Sequence, residues 1–285
     1  MPDTALTLEL DVSDDGVAVR RAGGSTPFLV QNTSPGRRAF MHPIVVPGGS
    51  ASVTEDAPAH HPWQHGLYVG LNDVNGAGFW HEGMHPRLSE DDGSFRPRLL
   101  TASIDDTVAS WAVASEYVAK SGEVLLTETQ SWRARDLGDR YLLDLALTFH
   151  AETDVTFGRY DYGGLFIRMP YRPEIGGRAF TSEGLEGPAA EATRARWAAV
   201  SMPIGGADDD VLVAILDHPG NREHPVPWRV DNELGIVPSV SIAGAWHLGR
   251  GQEETFRYRV LIAARPLPAD EIDAGWDAFA AEEQS

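Results

Sequence analysis

Apolar and polar residues alternate with a period of two along several segments of the chain, which is the pattern of a strand with one buried face. Residues 6–12, 143–149 and 256–262 show this alternation most clearly. Most glycines and prolines fall between such runs, where turns are expected. The pattern predicts a mostly β protein, a large antiparallel β-sandwich or super-sandwich that contains these three segments as strands.

The last part of the chain shows helical spacing instead. Pro268 and the acids that follow it suit a first helical turn, and Ile272, Trp276 and Phe279 then lie on one stripe. The spacing predicts a short C-terminal helix whose apolar stripe packs on the sandwich. Because no linker of low complexity interrupts the sequence, we expect residues 1–285 to form a single domain.

Composition limits the classes of partner. The chain has 23 Lys and Arg against 42 Asp and Glu, a formal net charge of −19, and a surface this acidic repels nucleic acid and anionic lipid. It has no cysteine, which excludes thiol chemistry and disulfides. It shows neither the roughly 18–20 consecutive apolar residues of a membrane span nor the pattern of a secretory signal. We therefore expect a cytoplasmic protein with no membrane and no nucleic-acid partner.

The densest polar cluster lies at residues 60–81, which hold His60, His61, His65 and His81. Histidine exchanges a proton near neutral pH or offers a neutral nitrogen to a metal. The alternative is a loop rich in turns whose histidines bond to the backbone. So many desolvated polar groups are costly unless they serve a site, and the cluster therefore favours a functional role.

A metal is a separate question for the same cluster. His61 and His65 are four positions apart, which would place both on one face of a helix. Pro62 and Gly66 disfavour a helix there, and no nearby glutamate completes a zinc-protease pattern. We therefore expect no certain cofactor, and a divalent metal held by His61 and His65 is the alternative.

A second polar cluster follows the apolar run 211–216 and consists of Asp217, His218, Asn221, His224 and Trp228. The run predicts a buried strand, so these residues come where a strand ends in a loop, a frequent location of catalytic and binding groups. The alternative is a turn stiffened by proline, in which Asp217 and Asn221 bond to the local backbone.

Two further segments carry polar residues that suit a sugar. Tyr162 and Arg168 offer a stacking ring and an anion-binding fork, although a buried tyrosine and a surface ion pair explain them equally well. In residues 124–132 the period of two places Glu128 and Gln130 on the same face as Trp132. A cleft lined by a carboxylate, an amide and an aromatic ring is typical of a sugar site.

The runs HHPWQHGLYVGLNDVNGAGFW, GGLFIRMPY and LDHPGNREHPVPW resemble the PmoA-like family, a bacterial group of largely unknown function. The resemblance covers nearly the whole chain, from residues 39–43 to 256–259. It implies a β-sandwich similar to the galactose-mutarotase super-sandwich. Since members are often encoded beside sugar oxidoreductases, it also implies a role in carbohydrate metabolism. The methane monooxygenase subunit that gives the family its name sits in a membrane, whereas no span is predicted here.

The resemblance also marks individual positions in the first and third motifs. They are His61, Pro62, Trp63, His65, Gly66 and Leu67, and then Asp217, His218, Pro219, Asn221, Pro225 and Trp228. Many members carry a histidine where this chain has Gln64. The departure implies that this chain lacks an activity based on that histidine or performs it through His65.

From these residues we expect an enzyme that acts on a sugar or an oxidised (keto) glycoside by epimerisation, elimination or hydrolysis. Its general acid and base are predicted to be His65 and His218, supported by His61, His224 and Asp217. The predicted substrate-binding residues are Trp63, Gln64, Asn75, His81, Glu128, Tyr162, Arg168, Asn221 and Trp228. Because a sandwich brings loops of distant strands together, the two histidine clusters are predicted to line one pocket.

Two functions of other classes stay open on the sequence alone. One is a non-catalytic carbohydrate-binding or regulatory protein, with Trp63, Trp80 and Trp228 as stacking platforms. The other is a metal-dependent oxygenase, taken from the family name, which needs at least three converging ligands. The expected partner is a small carbohydrate ligand, and both a homo-oligomer and a functional partnership with a sugar oxidoreductase are compatible with the resemblance.

Overall fold

The computed structural model describes residues 5–205, 207 and 209–282. The elements in this part of the chain, in order, are β1 (Leu8–Ser13), β2 (Gly16–Arg21), β3 (Leu29–Asn32), β4 (Phe40–Ile44), β5 (Leu67–Gly70), β6 (Ser94–Asp105), β7 (Val108–Val118), β8 (Val124–Asp136), β9 (Arg140–Ala151), β10 (Val155–Phe157), β11 (Gly164–Ile167), β12 (Arg178–Thr181), a 3₁₀ turn (Gly187–Ala189), β13 (Trp197–Met202), β14 (Val211–Asp217), β15 (Trp228–Val230), β16 (Ile236–Pro238), α1 (Val240–Ala243), β17 (Trp246–Leu248), β18 (Glu253–Ala263) and α2 (Ala269–Ala280).

Two eight-stranded antiparallel sheets form the sandwich. The first sheet has the order β1-β2-β3-β4-β5-β11-β16-β15, and the second has the order β12-β13-β14-β18-β9-β8-β7-β6. Strands β10 and β17 pair separately. The predicted antiparallel β-sandwich is therefore confirmed, and the segments predicted as strands are β1, β9 and β18, except that residues 6 and 7 precede β1.

Alternation along the strands divides the buried side chains between the interior and the outer faces. Val213 and Ile215 of β14 point into the main core between the sheets, whereas Leu212 and Leu216 point outward and are also buried. Both faces of this strand are covered, which explains why residues 211–216 read as a continuous apolar run. Burial of each such side chain is worth roughly 1.5–3 kcal/mol.

Helix α2 covers the outer face of the second sheet. Ile272 and Phe279 are buried there with Leu216 and Leu261, and Trp276 packs beside them. The indole nitrogen of Trp276 also donates a hydrogen bond to the backbone oxygen of Asp217, at 2.8 Å. The predicted C-terminal helix and its apolar stripe are confirmed. Among the described residues, neither helix has the length and apolar character needed to cross a lipid bilayer.

The outer face of the first sheet carries a third group of buried side chains, which we call the aromatic cluster. It consists of Phe40, Trp63, Tyr68, Trp80, Phe166 and Val237, with Tyr162 packed at its edge. In β5 and β11 the neighbouring residues Leu67, Val69 and Ile167 point the other way, into the main core. The main core therefore separates the aromatic cluster from helix α2.

The polar face predicted in β8 lies inside the main core. Tyr117 and the amide of Gln130 each donate a hydrogen bond of 2.5 Å to the buried carboxyl group of Glu128, and the indole of Trp132 donates to Gln130 at 2.9 Å. Burial raises the pKa of Glu128 to about 7. The shared face is as predicted, but the sugar cleft is not there, because these groups satisfy one another between the sheets.

Candidate functional site

A pocket of about 230 Å³ lies on the outer face of the first sheet, beside the aromatic cluster. Loops around residues 61–64 and 80–88 form one side, and β11, β15 and β16 with their flanking residues form the other. Its lining combines aromatic rings, imidazoles and a few polar groups: His61, Trp63, Gln64, Trp80, His81, His85, Leu88, Tyr162, Phe166, Arg229, Asp231 and Val237.

Two larger cavities occur elsewhere in the described part of the chain. One, of about 370 Å³, lies between Arg21, Phe28 and Tyr141, and the other, of about 490 Å³, lies between α2 and the second sheet. Neither lining contains a histidine or a tryptophan. The smaller pocket is therefore the better candidate, since it joins an apolar wall to several imidazoles, which can accept or donate a proton.

Two glycines allow the chain to build this pocket. Gly66 has φ +62°, and a Cβ there would lie 2.2 Å from the backbone oxygen of Met41. A Cβ on Gly70 would lie 2.6 Å from both the ring of Trp80 and the guanidinium of Arg38. Glycine at these two positions lets the loop turn into β5 and lets the ring of Trp80 approach the strand closely.

Three histidine rings surround Trp63 in the pocket wall. The ring of Trp63 makes edge contacts with the rings of His61, His81 and His85, at centroid distances of 5.3, 5.0 and 5.2 Å. The ring centroids of His81 and His85 lie 4.9 Å apart. The backbone N–H groups of Arg87 and Leu88 donate to Nδ1 of His85. In the neutral ring of His85 the proton is therefore on Nε2, which makes that atom a donor.

Burial keeps two of these histidines neutral. It lowers the pKa of His81 to about 4, and it also lowers the pKa of His61. A neutral imidazole is a proton acceptor, which is the form that a general base requires. At pH 7 the pocket therefore holds a base in His81 with a donor in the adjacent ring of His85.

One basic and one acidic side chain complete the polar wall. Arg229 is held by a hydrogen bond from Nη1 to Glu191, at 2.6 Å. Asp231 accepts hydrogen bonds from the backbone N–H groups of Glu233 (2.9 Å) and Gly235 (2.7 Å), while its burial raises its pKa. The two formal charges cancel, so the wall carries no net charge when its histidines are neutral.

His65, predicted as a catalytic residue, lies behind the pocket rather than in it. It is completely buried, and its two ring nitrogens contact Asp56 (2.6 Å) and Glu82 (3.0 Å). Glu82 in turn accepts from the buried guanidinium of Arg38, at 2.6 Å. Burial opposes the charged imidazole, but the hydrogen bonds to Asp56 and Glu82 outweigh it and raise the pKa of His65.

This arrangement gives His65 the geometry of a positioning residue. A protonated ring donates to both carboxylates and ties the loop before β5 to the loop that carries His81. The structure does not support the alternative prediction of a metal held by His61 and His65, because Asp56 and Glu82 contact the two ring nitrogens of His65.

The second predicted cluster lies at the end of β14, under helix α2. Asp217 accepts hydrogen bonds from Asn221 and His224, both at 2.7 Å. The ring of His218 contacts Phe279 at 5.1 Å, and the ring of His224 stacks on Trp276 at 5.9 Å. These contacts show a loop closed by its own polar groups and packed on the helix.

The two histidine clusters therefore lie on opposite outer faces of the sandwich, with the main core between them. The prediction that they line one pocket is wrong. Trp228, predicted as a binding platform, belongs to that core, where it is fully buried and donates from its indole to the backbone oxygen of Ala195, at 2.9 Å.

The remaining predicted site residues divide between the pocket and its surroundings. Trp63, Gln64, His81 and Tyr162 line it together with His61. Arg168 is buried directly behind it, with one guanidinium nitrogen 3.3 Å from the oxygen of Gln64. Asn75 lies apart, in an exposed turn where its side chain accepts from Thr156 N and donates to Asp154 O.

Six lining residues were not predicted: His85, Leu88, Phe166, Val237, Arg229 and Asp231. A signal for the last two is present in the sequence. Trp228, Arg229, Val230 and Asp231 alternate with a period of two, and once Trp228 and Val230 are placed in the main core, Arg229 must face outward. No comparable local pattern marks His85.

Three of the residues in this region could ligate a metal. The side chains of His60, His61 and Glu233 each offer one atom, and the three atoms lie within 4.8 Å of one another. His60 was noted in the sequence only as part of the histidine cluster, and Glu233 comes from a loop about 170 residues away.

Comparison with solved structures gives several α-galactosidases. An α-galactosidase from Lactobacillus brevis has 8% sequence identity and a TM-score of 0.41, covering 89% of this chain and 39% of that chain. A variant of the GH36 α-galactosidase AgaA from Geobacillus stearothermophilus, in complex with raffinose, has 9% identity and a TM-score of 0.43, covering 90% and 40%. This chain spans about two fifths of the length of these enzymes. Their activity is a property of those whole enzymes.

Among curated proteins, none matches this sequence. The resemblance to the PmoA-like family stays a prediction, since the sequence model that matches carries a different description. That model matches residues 22–277, which include the pocket and both histidine clusters, and the chain therefore belongs to the family of unknown function DUF6807.

Proposed function

We propose that this protein is a carbohydrate-active enzyme that binds a sugar or keto-sugar in the pocket beside the aromatic cluster and acts on it by proton transfer. The observation that carries the proposal is the composition of one wall, where His81 and His85 lie 4.9 Å apart against the ring of Trp63. A base, a donor and a stacking surface thus face the same small volume.

The size and polarity of the pocket suit one sugar ring. Its volume of about 230 Å³ is below the roughly 300–1,000 Å³ of pockets that take drug-sized ligands. Aromatic rings such as Trp63 and Tyr162 offer an apolar surface to the C–H face of a sugar, and Gln64 and Asp231 offer partners for its hydroxyl groups.

The chemistry follows from the protonation states. His81, neutral at pH 7, takes a proton from the carbon next to a carbonyl group; the C–H bond breaks, an N–H bond forms, and the electron pair moves into an enolate. His85 donates to the developing oxyanion through Nε2. Delivery of a proton by water to the opposite face of the enolate, while His81 releases its proton to solvent, gives epimerisation. Departure of a substituent from the neighbouring carbon with its bonding electron pair, which takes up the proton held by His81, gives elimination.

The test is hydrogen exchange in heavy water. Full-length protein is incubated with keto-sugars, and loss of the carbon-bound hydrogen next to the carbonyl is followed by proton NMR. We expect exchange with wild type and a loss of about 10²–10⁴-fold with His81→Gln. His247→Gln, which changes an exposed histidine on β17, serves as the control and should exchange like wild type.

Binding of the same sugars is measured by isothermal titration calorimetry. Binding without exchange would support the non-catalytic carbohydrate-binding alternative and reject the enzyme. Equal exchange by wild type and His81→Gln would reject the role of His81. Absence of binding at millimolar sugar concentration would end the proposal altogether.

A further inference from the structure

Acceptor atoms are concentrated at one point beside the pocket. Oε2 of Glu233 lies 3.3 Å from Nε2 of His60 and 3.5 Å from Nδ1 of His61. Nδ1 of His61 is buried and has no hydrogen-bond partner. An imidazole lone pair that faces a carboxylate oxygen is repelled unless a proton or a cation lies between them.

Arg168 contacts two of these three side chains. Its guanidinium contacts Oε2 of Glu233 and lies 2.8 Å from Nε2 of His60, so that His60 presents its lone pair and not an N–H group. Arg168 also reaches Gln64 (3.3 Å) and Glu55 (3.4 Å). It makes no hydrogen bond to Nδ1 of His61, which therefore stays a buried ring nitrogen without a hydrogen-bond partner.

We propose that His60, His61 and Glu233 bind a divalent transition-metal ion through Nε2, Nδ1 and Oε2. Two imidazoles and one carboxylate form a ligand set that suits zinc, iron or manganese. Bonds of about 2.0–2.1 Å in a tetrahedral arrangement place ligand atoms roughly 3.3–3.4 Å apart. Both measured separations from Glu233 are close to that spacing.

The surrounding charges tolerate such an ion. Glu55 and Glu233 face the two arginines Arg168 and Arg172, of which Arg172 is paired with Glu55, and Asp231 also acts electrostatically on His61. The ion would take Oε2 of Glu233 and Nε2 of His60 from Arg168, which keeps Gln64 and Glu55 as acceptors. Because His61 also lines the pocket, the ion would stand at the pocket wall.

Metal binding is measured without any sugar, so the result does not depend on the proposed function. Full-length protein is stripped with a chelator, dialysed, and titrated with zinc chloride by calorimetry. Elemental analysis after gel filtration gives the stoichiometry, and cobalt(II) serves as a spectroscopic probe of the coordination. We expect one zinc per chain and a visible cobalt spectrum.

The deciding variant is His61→Asn, because His61 Nδ1 has no hydrogen bond to lose and the fold should persist. We expect at least a 10-fold weaker zinc affinity in this variant and a similar loss in His60→Asn. His150→Asn is the matched control, since His150 is an exposed histidine 3.1 Å from Glu253. Wild type without stoichiometric zinc would overturn the proposal. An unchanged affinity in His61→Asn, or an equal loss in His150→Asn, would show that the binding is adventitious and would overturn it as well.

Discussion

At the scale of single residues, the structure separates the side chains that line the pocket from the side chains that hold the fold. His65 and Glu128 are both polar and fully enclosed, and each makes a hydrogen bond with a buried side chain, that of Glu82 and that of Tyr117 respectively. Both were predicted as site residues from their residue type and their neighbours in the sequence. Because the structure buries them, replacing either one should change the stability of the fold, which can be measured.

Replacing His65 by alanine should strongly destabilise the fold. The change leaves Glu82 and Asp56 without their shared partner, and breaking a buried ion pair costs about 3–5 kcal/mol. Urea unfolding followed by circular dichroism measures this loss. His247→Ala, an exposed site, should change the free energy of unfolding by less than about 0.5 kcal/mol. A stable His65→Ala protein would contradict the role of this residue in holding the loops.

Glu128 should make the wild type less stable as the pH rises. Burial raises the pKa of Glu128 from 4.5 to about 7 in the folded state, so between these values the folded protein holds a proton that the unfolded chain has released. The free energy of unfolding therefore falls through this window, by an amount on the order of 3 kcal/mol in total.

The variant Glu128→Gln tests this dependence, because glutamine imitates the neutral acid and cannot ionise. Urea unfolding at pH 5 and pH 8 should show a smaller loss of stability in Glu128→Gln than in wild type. Glu123→Gln, an exposed change before the same strand, should follow wild type. Parallel pH profiles of wild type and Glu128→Gln would show that Glu128 is ionised in the folded protein at both pH values.

At the scale of elements, helix α2 is held by the apolar stripe that the sequence predicted. Ile272 is fully buried against Leu216 and Leu261, and the hydrogen bond from Trp276 to Asp217 also ties the helix to the end of β14. Most helical stability in proteins comes from such packing, since an isolated helix of this length is marginal in water.

Replacing Ile272 by alanine should therefore cost about 2–5 kcal/mol, from lost apolar burial and the cavity left behind. Asp277→Ala, on the exposed side of the same helix, should stay within about 0.5 kcal/mol of wild type. Both values come from urea unfolding curves. If Ile272→Ala and Asp277→Ala lowered the free energy of unfolding by equally small amounts, α2 would not be packed on the second sheet as described.

At the scale of the whole molecule, the main core separates two polar regions. The pocket lies outside the first sheet, and the loop of His218 and His224 lies outside the second, beneath α2. No residue of that loop lines the pocket among the described residues. Substitutions in the two regions should therefore act independently, as they do for sites that share no partners.

If the pocket binds a sugar as proposed, His218→Gln should change its dissociation constant by less than about 2-fold. Trp63→Ala should weaken binding by about 10-fold or more, since it removes a ring from the wall. Calorimetric titration of both variants with the same sugar provides the comparison. A comparable loss in His218→Gln would show that the two regions are coupled through the core.

The sequence by itself determined several of the strands, the C-terminal helix and the segment that forms one side of the pocket. Alternation with a period of two and the stripe at Ile272 are local properties, because they follow from the geometry of a strand and a helix. The density of polar and aromatic residues near His61 and His81 was equally local.

Only the tertiary structure decided which layer covers each face. Alternation shows that Glu128 and Trp132 share a face, but not whether that face meets water or another sheet, since this depends on pairing between strands far apart in sequence. The same long-range packing buries His65, separates His218 from the pocket, and brings Asp231 and Glu233 to the side of His61.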